Sequence, residues 1–207
     1  MSVLPIRRLS NLLRSTRAAM MSRVARTYLQ FHGATVGHCL RMSSLPICRR
    51  HPDATIAIGD HVSVANRTKE NLAGLSHATV LVANRPGAKL IIGNHVGISG
   101  AILFCSQEII VEDHVSIGAS VKIYDTDFHS LSAADRRIGK RETILTAPVR
   151  LCEDVWLCSD VTVLKGVTVG ARSIVAAGSV VTRDVPPDTL VAGIPARPIR
   201  SLGGDRK

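Results

Sequence analysis

Between Leu151 and Pro186 the chain reads LCEDVW LCSDVT VLKGVT VGARSI VAAGSV VTRDVP, six blocks of six with no residue left over. An aliphatic residue opens each block: Leu151, Leu157, Val163, Val169, Val175 and Val181. Four places later stands a small or β-branched residue: Val155, Val161, Val167, Ser173, Ser179 and Val185. Each of these precedes the next aliphatic residue by two, so the two side chains project to the same side of one short strand. The Gly, Asp, Ser, Lys and Arg residues between them suit solvent-exposed turns. A strict period of six predicts an all-β solenoid, a parallel β-helix in which every strand stacks on its counterpart one coil away.

The pattern recurs upstream as IGDHVS, IGNHVG, VEDHVS and IGASVK, anchored by Ile58, Ile92, Val111 and Ile117. There the connections are longer, as from Arg67 to Lys89. Composition agrees with a thin interior. Hydrophobic residues make 45% of the 207, yet only Tyr28, Phe31, Phe104, Tyr124, Phe128 and Trp156 are aromatic, so the core is built from Val, Ile, Leu and Ala. Flat solenoid faces and strand edges predict self-association.

A net charge of +10 suggests nucleic acid until it is located. Residues 1–50 hold nine arginines and no Lys, Asp or Glu, which leaves 17 basic against 16 acidic residues for the remainder. The body is nearly neutral and no basic, aromatic-rich motif accompanies the arm, so no nucleic-acid partner is expected. The five cysteines, Cys39, Cys48, Cys105, Cys152 and Cys158, lack the paired spacing of a zinc site or a disulfide framework, which points to a reducing, intracellular compartment.

No apolar run reaches the length that crosses a membrane. Residues 1–31 form a basic amphipathic arm, with Leu9, Leu12, Leu13, Met20, Val24 and Tyr28 near one helical face. Three readings fit it: a helix packed on its own domain or oligomer, a contact with a membrane surface, and an Arg-rich transit peptide.

After Ile123 the period fails for YDTDFHSLSAADRRIGKRETILTA and resumes near Val149. A solenoid can eject such a loop, here 124–147, from one corner while the coils continue beneath it. His129 is its only histidine. His61, His95 and His114 share one turn position, in GDHV, GNHV and EDHV, and repeat equivalence gives them a structural role. His129 has no counterpart, and a loop histidine beside carboxylates suits a general base near neutral pH.

The blocks above, with DTDFH, VWLCSDVTVLKGVTVG, AAGSVVTRDVP and AGIPARPIR, resemble the hexapeptide-repeat acyltransferases of the maltose and galactoside O-acetyltransferase type, and among them those of capsule and exopolysaccharide biosynthesis. The resemblance is strong over about 92–200 and weaker over 34–89. It implies a left-handed coil, a homotrimer and an active site between neighbouring subunits. It also makes His129 the base that deprotonates an acceptor hydroxyl for attack on acetyl-CoA, the co-substrate, with no metal required. Trp156, Ser159 and Ala177 match positions along the pantetheine arm, and Thr182, Arg183, Arg197 and Arg200 match the nucleotide end, where cations suit phosphates. Asp125 and Asp127 are candidates to orient His129 or bind the sugar, and Arg136 and Arg137 to cover the acceptor or meet a phosphate. The chain departs from the family at Leu151-Cys152, Leu157-Cys158 and Ala176, where glycine is usual at the second place of each turn.

The expectation is therefore a basic arm (1–31), a left-handed β-helix acyltransferase domain (32–200) and a tail (201–207). Its activity would be acetyl-CoA-dependent O-acetylation of a sugar hydroxyl in a saccharide or polysaccharide precursor, in the cytoplasm or at the inner face of the membrane. The alternatives are N-acetylation of an amino sugar and a non-catalytic trimeric scaffold or sugar-binding module. A zinc hydrolyase on the same scaffold would need two histidines five residues apart, which this chain lacks.

Overall fold

Stacking buries both rows of the six-residue pattern. Leu151, Leu157, Val163, Val169 and Val175 are fully buried, and so are Val155, Val161 and Ser173. At about 1.5 to 3 kcal/mol for each large aliphatic side chain taken from water, these rows supply the driving force of the fold.

A computed structural model describes residues 4–69, 71–72 and 74–203, with side chains described from residue 16 onward. Helix α1 (Leu4–Phe31) leads into coils of three short strands. The first holds β1 (Thr35–Val36), β2 (Arg41–Met42) and β3 (Ile47–Arg50), and the second β4 (Thr55–Ile58), β5 (Ser63–Ala65) and β6 (Val80–Ala83). The third holds β7 (Lys89–Ile92), β8 (Gly97–Ser99) and β9 (Ile102–Cys105), and the fourth β10 (Glu108–Val111), β11 (Ser116–Ile117) and β12 (Lys122–Tyr124). After the excursion with helix α2 (Ala133–Arg137) comes the fifth coil, β13 (Val149–Leu151), β14 (Trp156–Leu157) and β15 (Thr162–Val163). The sixth is β16 (Thr168–Val169), β17 (Ile174–Val175) and β18 (Val180–Val181), followed by the hairpin β19 (Thr189–Gly193) and β20 (Ala196–Ser201).

Corresponding strands stack into three sheets, β1-β4-β7-β10-β13-β16, β2-β5-β8-β11-β14-β17-β19-β20 and β3-β6-β9-β12-β15-β18, here called sheets one, two and three. Pairing is parallel throughout except between β19 and β20, which turn back at Gly193–Ala196 and end sheet two. The solenoid is left-handed. The connection expected from Arg67 to Lys89 is shorter than that, because β6 lies inside it and pairs with β3 and β9. What leaves the coil is the segment after β5, closed at its base by Asn66, whose amide donates to Ser44 O (2.9 Å) and accepts from the Thr79 amide (2.9 Å).

The turn from sheet one to sheet two carries one residue at positive φ in each coil: Cys39, His61, His95, His114, Asp154 and Arg172. A side chain just ahead of that residue staples the coils together. Asp60 Oδ1 accepts the His38 amide at 2.5 Å, Asn94 Oδ1 the Asp60 amide at 2.8 Å and Asp113 Oδ1 the Asn94 amide at 2.7 Å. His61, His95 and His114 then stack ring on ring, with centroids 4.8 and 4.9 Å apart. These three histidines are a column of the scaffold, as their repeat equivalence implies.

Helix α1 docks on β1 and β2 through Ala25 and Leu29, both fully buried, with Tyr28 partly buried beside them. Arg26 Nη1 donates to Val36 O at 3.1 Å, and the Met42 amide donates to Ser22 Oγ at 3.0 Å. The packed stripe is therefore Ser22, Ala25, Arg26 and Leu29. Of the face expected from the sequence, Met20 and Val24 are exposed, Tyr28 is partly covered, and Leu9, Leu12 and Leu13 lie outside the described side chains, as residues 204–207 of the tail lie outside the described residues.

Candidate active site

The excursion leaves the third corner of the fourth coil, where sheet three returns to sheet one. Asp125, the first residue after β12, is completely buried. Its Oδ1 accepts the Ser106 amide at 2.7 Å, and its Oδ2 accepts the Gln107 and Glu108 amides at 2.6 and 2.8 Å. Burial raises its carboxyl above the usual carboxylate range, against the pull of those amides. Both oxygens thus serve the corresponding corner of the third coil, so Asp125 is a structural carboxylate and not the group that orients His129. The loop is pinched shut above it: Thr126 bridges Thr146, the Asp127 amide donates to Leu145 O (3.1 Å), and Thr146 Oγ1 meets Gln107 Oε1 at 2.9 Å.

Asp127 takes a different partner. Its Oδ1 lies 2.8 Å from Lys165 Nζ, at the same corner of the fifth coil, while its Oδ2 is buried with no hydrogen-bond partner. Its carbonyl accepts the His129 amide at 2.7 Å. Between them Phe128 adopts φ +62°, a left-handed conformation that a bulky residue adopts at a cost, and its ring packs on Phe104 (4.8 Å, tilted) and Tyr124 (5.0 Å, edge to face). Half of the chain's aromatic residues are thus gathered under one tight turn. His129, which follows that turn, is exposed, and its amide is tied to Asp127. Lys165 had been legible only as a turn residue of the block VLKGVT; nothing in its spacing marks it as the partner of Asp127.

Beyond His129 the loop is braced by its own polar groups. Arg136 Nη1 donates to the carbonyls of Ser130 (2.8 Å) and Leu131 (2.9 Å), and Ser132 caps α2 by accepting the Asp135 amide. Arg136 therefore holds the loop's shape, whereas Arg137 is exposed on α2.

The residues assigned to the donor fall into three groups. Ser159 and Ala177 occupy equivalent places at the second corner of the fifth and sixth coils, joined by the bond from the Gly178 amide to Ser159 O (3.0 Å). Trp156 stands half-exposed on the outer side of β14, in register with Ile174. Arg197 and Arg200 lie on β20, which continues sheet two beyond the sixth coil. Thr182 and Arg183 follow β18 and so sit across sheet three, at the third corner rather than beside Ser159. At the same corner of the fourth coil Gly118 cannot carry a side chain: a Cβ there would meet the Cys158 carbonyl carbon at 2.7 Å.

A groove of about 1200 Å³ runs elsewhere, between α1 and the outer face of sheet two, and none of the excursion lines it. Among the described residues no cluster of His, Cys, Asp and Glu has the geometry to hold a metal ion, and no helix is long and apolar enough to cross a membrane.

Residues 148–183 match the family model described as bacterial transferase hexapeptide (six repeats). A Schizosaccharomyces pombe protein designated a candidate acetyltransferase is 38% identical over 94 residues, 45% of this chain and 44% of that one. The galactoside O-acetyltransferase of Escherichia coli is 35% identical over 96 residues, 45% of this chain and 47% of that one. The matched stretch thus spans less than half the length of either relative. Over nearly the whole chain, the solved hexapeptide-repeat acetyltransferase of Vibrio cholerae O1 biovar eltor, complexed with acetyl-CoA, is 28% identical, covering 97% of this chain and 88% of that one with a TM-score of 0.55. By repeat, by sequence and by fold, the chain is similar to the hexapeptide-repeat acetyltransferases.

Proposed function

We infer that the protein is an acetyl-CoA-dependent O-acetyltransferase acting on a sugar hydroxyl, with His129 as the general base. The observation that carries this reading is the turn Asp127–His129: a strained, aromatic-anchored segment, ejected from an otherwise regular solenoid, that presents one imidazole to solvent. The likeness to an acetyltransferase solved with acetyl-CoA supplies the donor.

In the proposed reaction an imidazole nitrogen of His129 takes the proton of the acceptor hydroxyl as its oxygen attacks the thioester carbonyl. The tetrahedral oxyanion then collapses, the C–S bond breaks, and the imidazolium returns the proton to the departing CoA thiolate. The pantetheine arm would follow the second corner past Ser159 and Ala177 with Trp156 alongside, and Arg197 and Arg200 would meet the nucleotide end. Since Thr182 and Arg183 sit on the far side of sheet three, they would reach the donor bound to a neighbouring copy, which suits a homotrimer with sites between protomers. The cytoplasm is the compartment where acetyl-CoA and activated sugars meet.

The test is CoA release by purified protein from acetyl-CoA with a panel of sugars. His129→Ala, an exposed substitution, should fold as the parent does and lose at least about a hundredfold in rate. Retained activity in that variant would remove His129 from the role.

A further inference from the structure

The returning limb of the excursion runs along the third corner toward the N-terminal coils and encloses a crevice of about 430 Å³ against the second coil. Asn84 and Arg85 line it from the turn after β6; Arg141, Glu142 and Ile144 line it from the limb. The limb is held in place. Thr146 is fixed to Gln107, the Ala147 amide donates to Asp125 O (2.9 Å), and the Ile144 amide closes a turn on Arg141 O (3.2 Å). Asn84 is fixed as well: its Oδ1 accepts from Ser106 Oγ at 2.8 Å, which commits the oxygen and leaves its NH₂ as a donor.

Arg85 and Arg141 therefore line one small polar space, and neither guanidinium lies within ion-pair distance of Glu142 or of any other carboxylate among the described residues. Guanidinium forks match the paired oxygens of a phosphate or carboxylate, and Asn84 adds a neutral donor. Glu142, unpaired in the same crevice, can accept from sugar hydroxyls and leaves the set one positive charge in excess. Strands of neighbouring coils stand roughly 4.8 Å apart, so the crevice lies about 10 Å along the stack from the corner that carries His129.

We propose that Arg85 and Arg141 bind an anionic substituent, phosphate or carboxylate, of the acceptor saccharide. This specificity rests on the acetyltransferase reading, but anion binding itself does not. The acceptor is then an acidic saccharide: a sugar phosphate or a glycan containing acidic sugars.

Calorimetric titration with glucose 1-phosphate, glucuronate and glucose tests binding without turnover. The wild-type protein should bind one or both anionic sugars at least tenfold more tightly than glucose, and Arg85→Gln/Arg141→Gln should abolish the difference while melting as the parent does. Preference for the phosphate identifies a sugar phosphate, preference for the uronate an acidic glycan. In turnover assays the double variant should raise KM for the anionic acceptor at least tenfold with KM for acetyl-CoA unmoved. Equal binding of all three sugars by the wild type, or discrimination that survives both substitutions, overturns the anion site. Discrimination without any CoA release leaves the anion site standing and removes the catalytic reading instead.

Discussion

Lys165 Nζ stands 2.8 Å from Asp127 Oδ1, joining a turn of the fifth coil to the residue whose carbonyl accepts the His129 amide. The pair is partly exposed, so its contribution to stability is modest, about 1 kcal/mol at most. Its effect on position is larger, because the pair ties the backbone just ahead of His129 to the fifth coil.

Lys165→Met should accordingly lower kcat about tenfold or more, leave KM for acetyl-CoA unchanged and move the melting temperature by only a few degrees. Lys165→Arg should restore part of the rate. A loss of stability that matches the loss of rate would make Lys165 a structural residue only.

Asp125 makes the opposite prediction. Three backbone amides converge on one buried carboxylate, and an asparagine offers a single acceptor oxygen while turning an NH₂ toward donors. Asp125→Asn should cost about 3 kcal/mol, seen as a drop in melting temperature of roughly 6 to 12 °C. If thermal melting does not change, the three bonds contribute nothing net.

How far the sequence foretold these roles depends on whether the partner lies within the repeat. The period placed the buried rows and gave His61, His95 and His114 one shared turn position, because each coil repeats the environment of the last. The excursion leaves after Tyr124, one residue later than the failure of the period after Ile123 implied, and rejoins at Val149. The period could not separate Asp125 from Asp127, since the amides that bind one and the ammonium that binds the other come from coils on opposite sides. Nor could helical spacing choose the docked face of α1, where the small Ala25 approaches the coil and the larger Met20 and Val24 do not.

The ladder at the first corner makes acid stability depend on two partly exposed carboxylates. Backbone amide donors, His38 for Asp60 and Asn94 for Asp113, hold both carboxyls below the usual range. A depressed folded pKa means that the stabilisation is complete above the ordinary carboxylate range and is lost as pH falls through the depressed value. The urea midpoint of the wild type should therefore fall on acidification, and Asp60→Asn/Asp113→Asn, which keeps an acceptor oxygen but cannot titrate, should fall less. Parallel acid limbs for the two proteins would show that these carboxylates do not drive the loss.

Phe128 combines two features that substitution can separate. Its positive φ favours glycine, while its ring is held by Phe104 and Tyr124. Phe128→Gly relieves the backbone and removes the ring; Phe128→Ala removes the ring and keeps the strain. If the aromatic cluster is what holds His129 in place, both variants should lose a similar factor in kcat, about tenfold or more, even though glycine is the more stable of the two by melting. If backbone geometry alone sets the imidazole, Phe128→Gly should retain the parental rate and only Phe128→Ala should fall. Crystal structures of the two variants, compared at the His129 Cα, would show which displacement accompanies which loss.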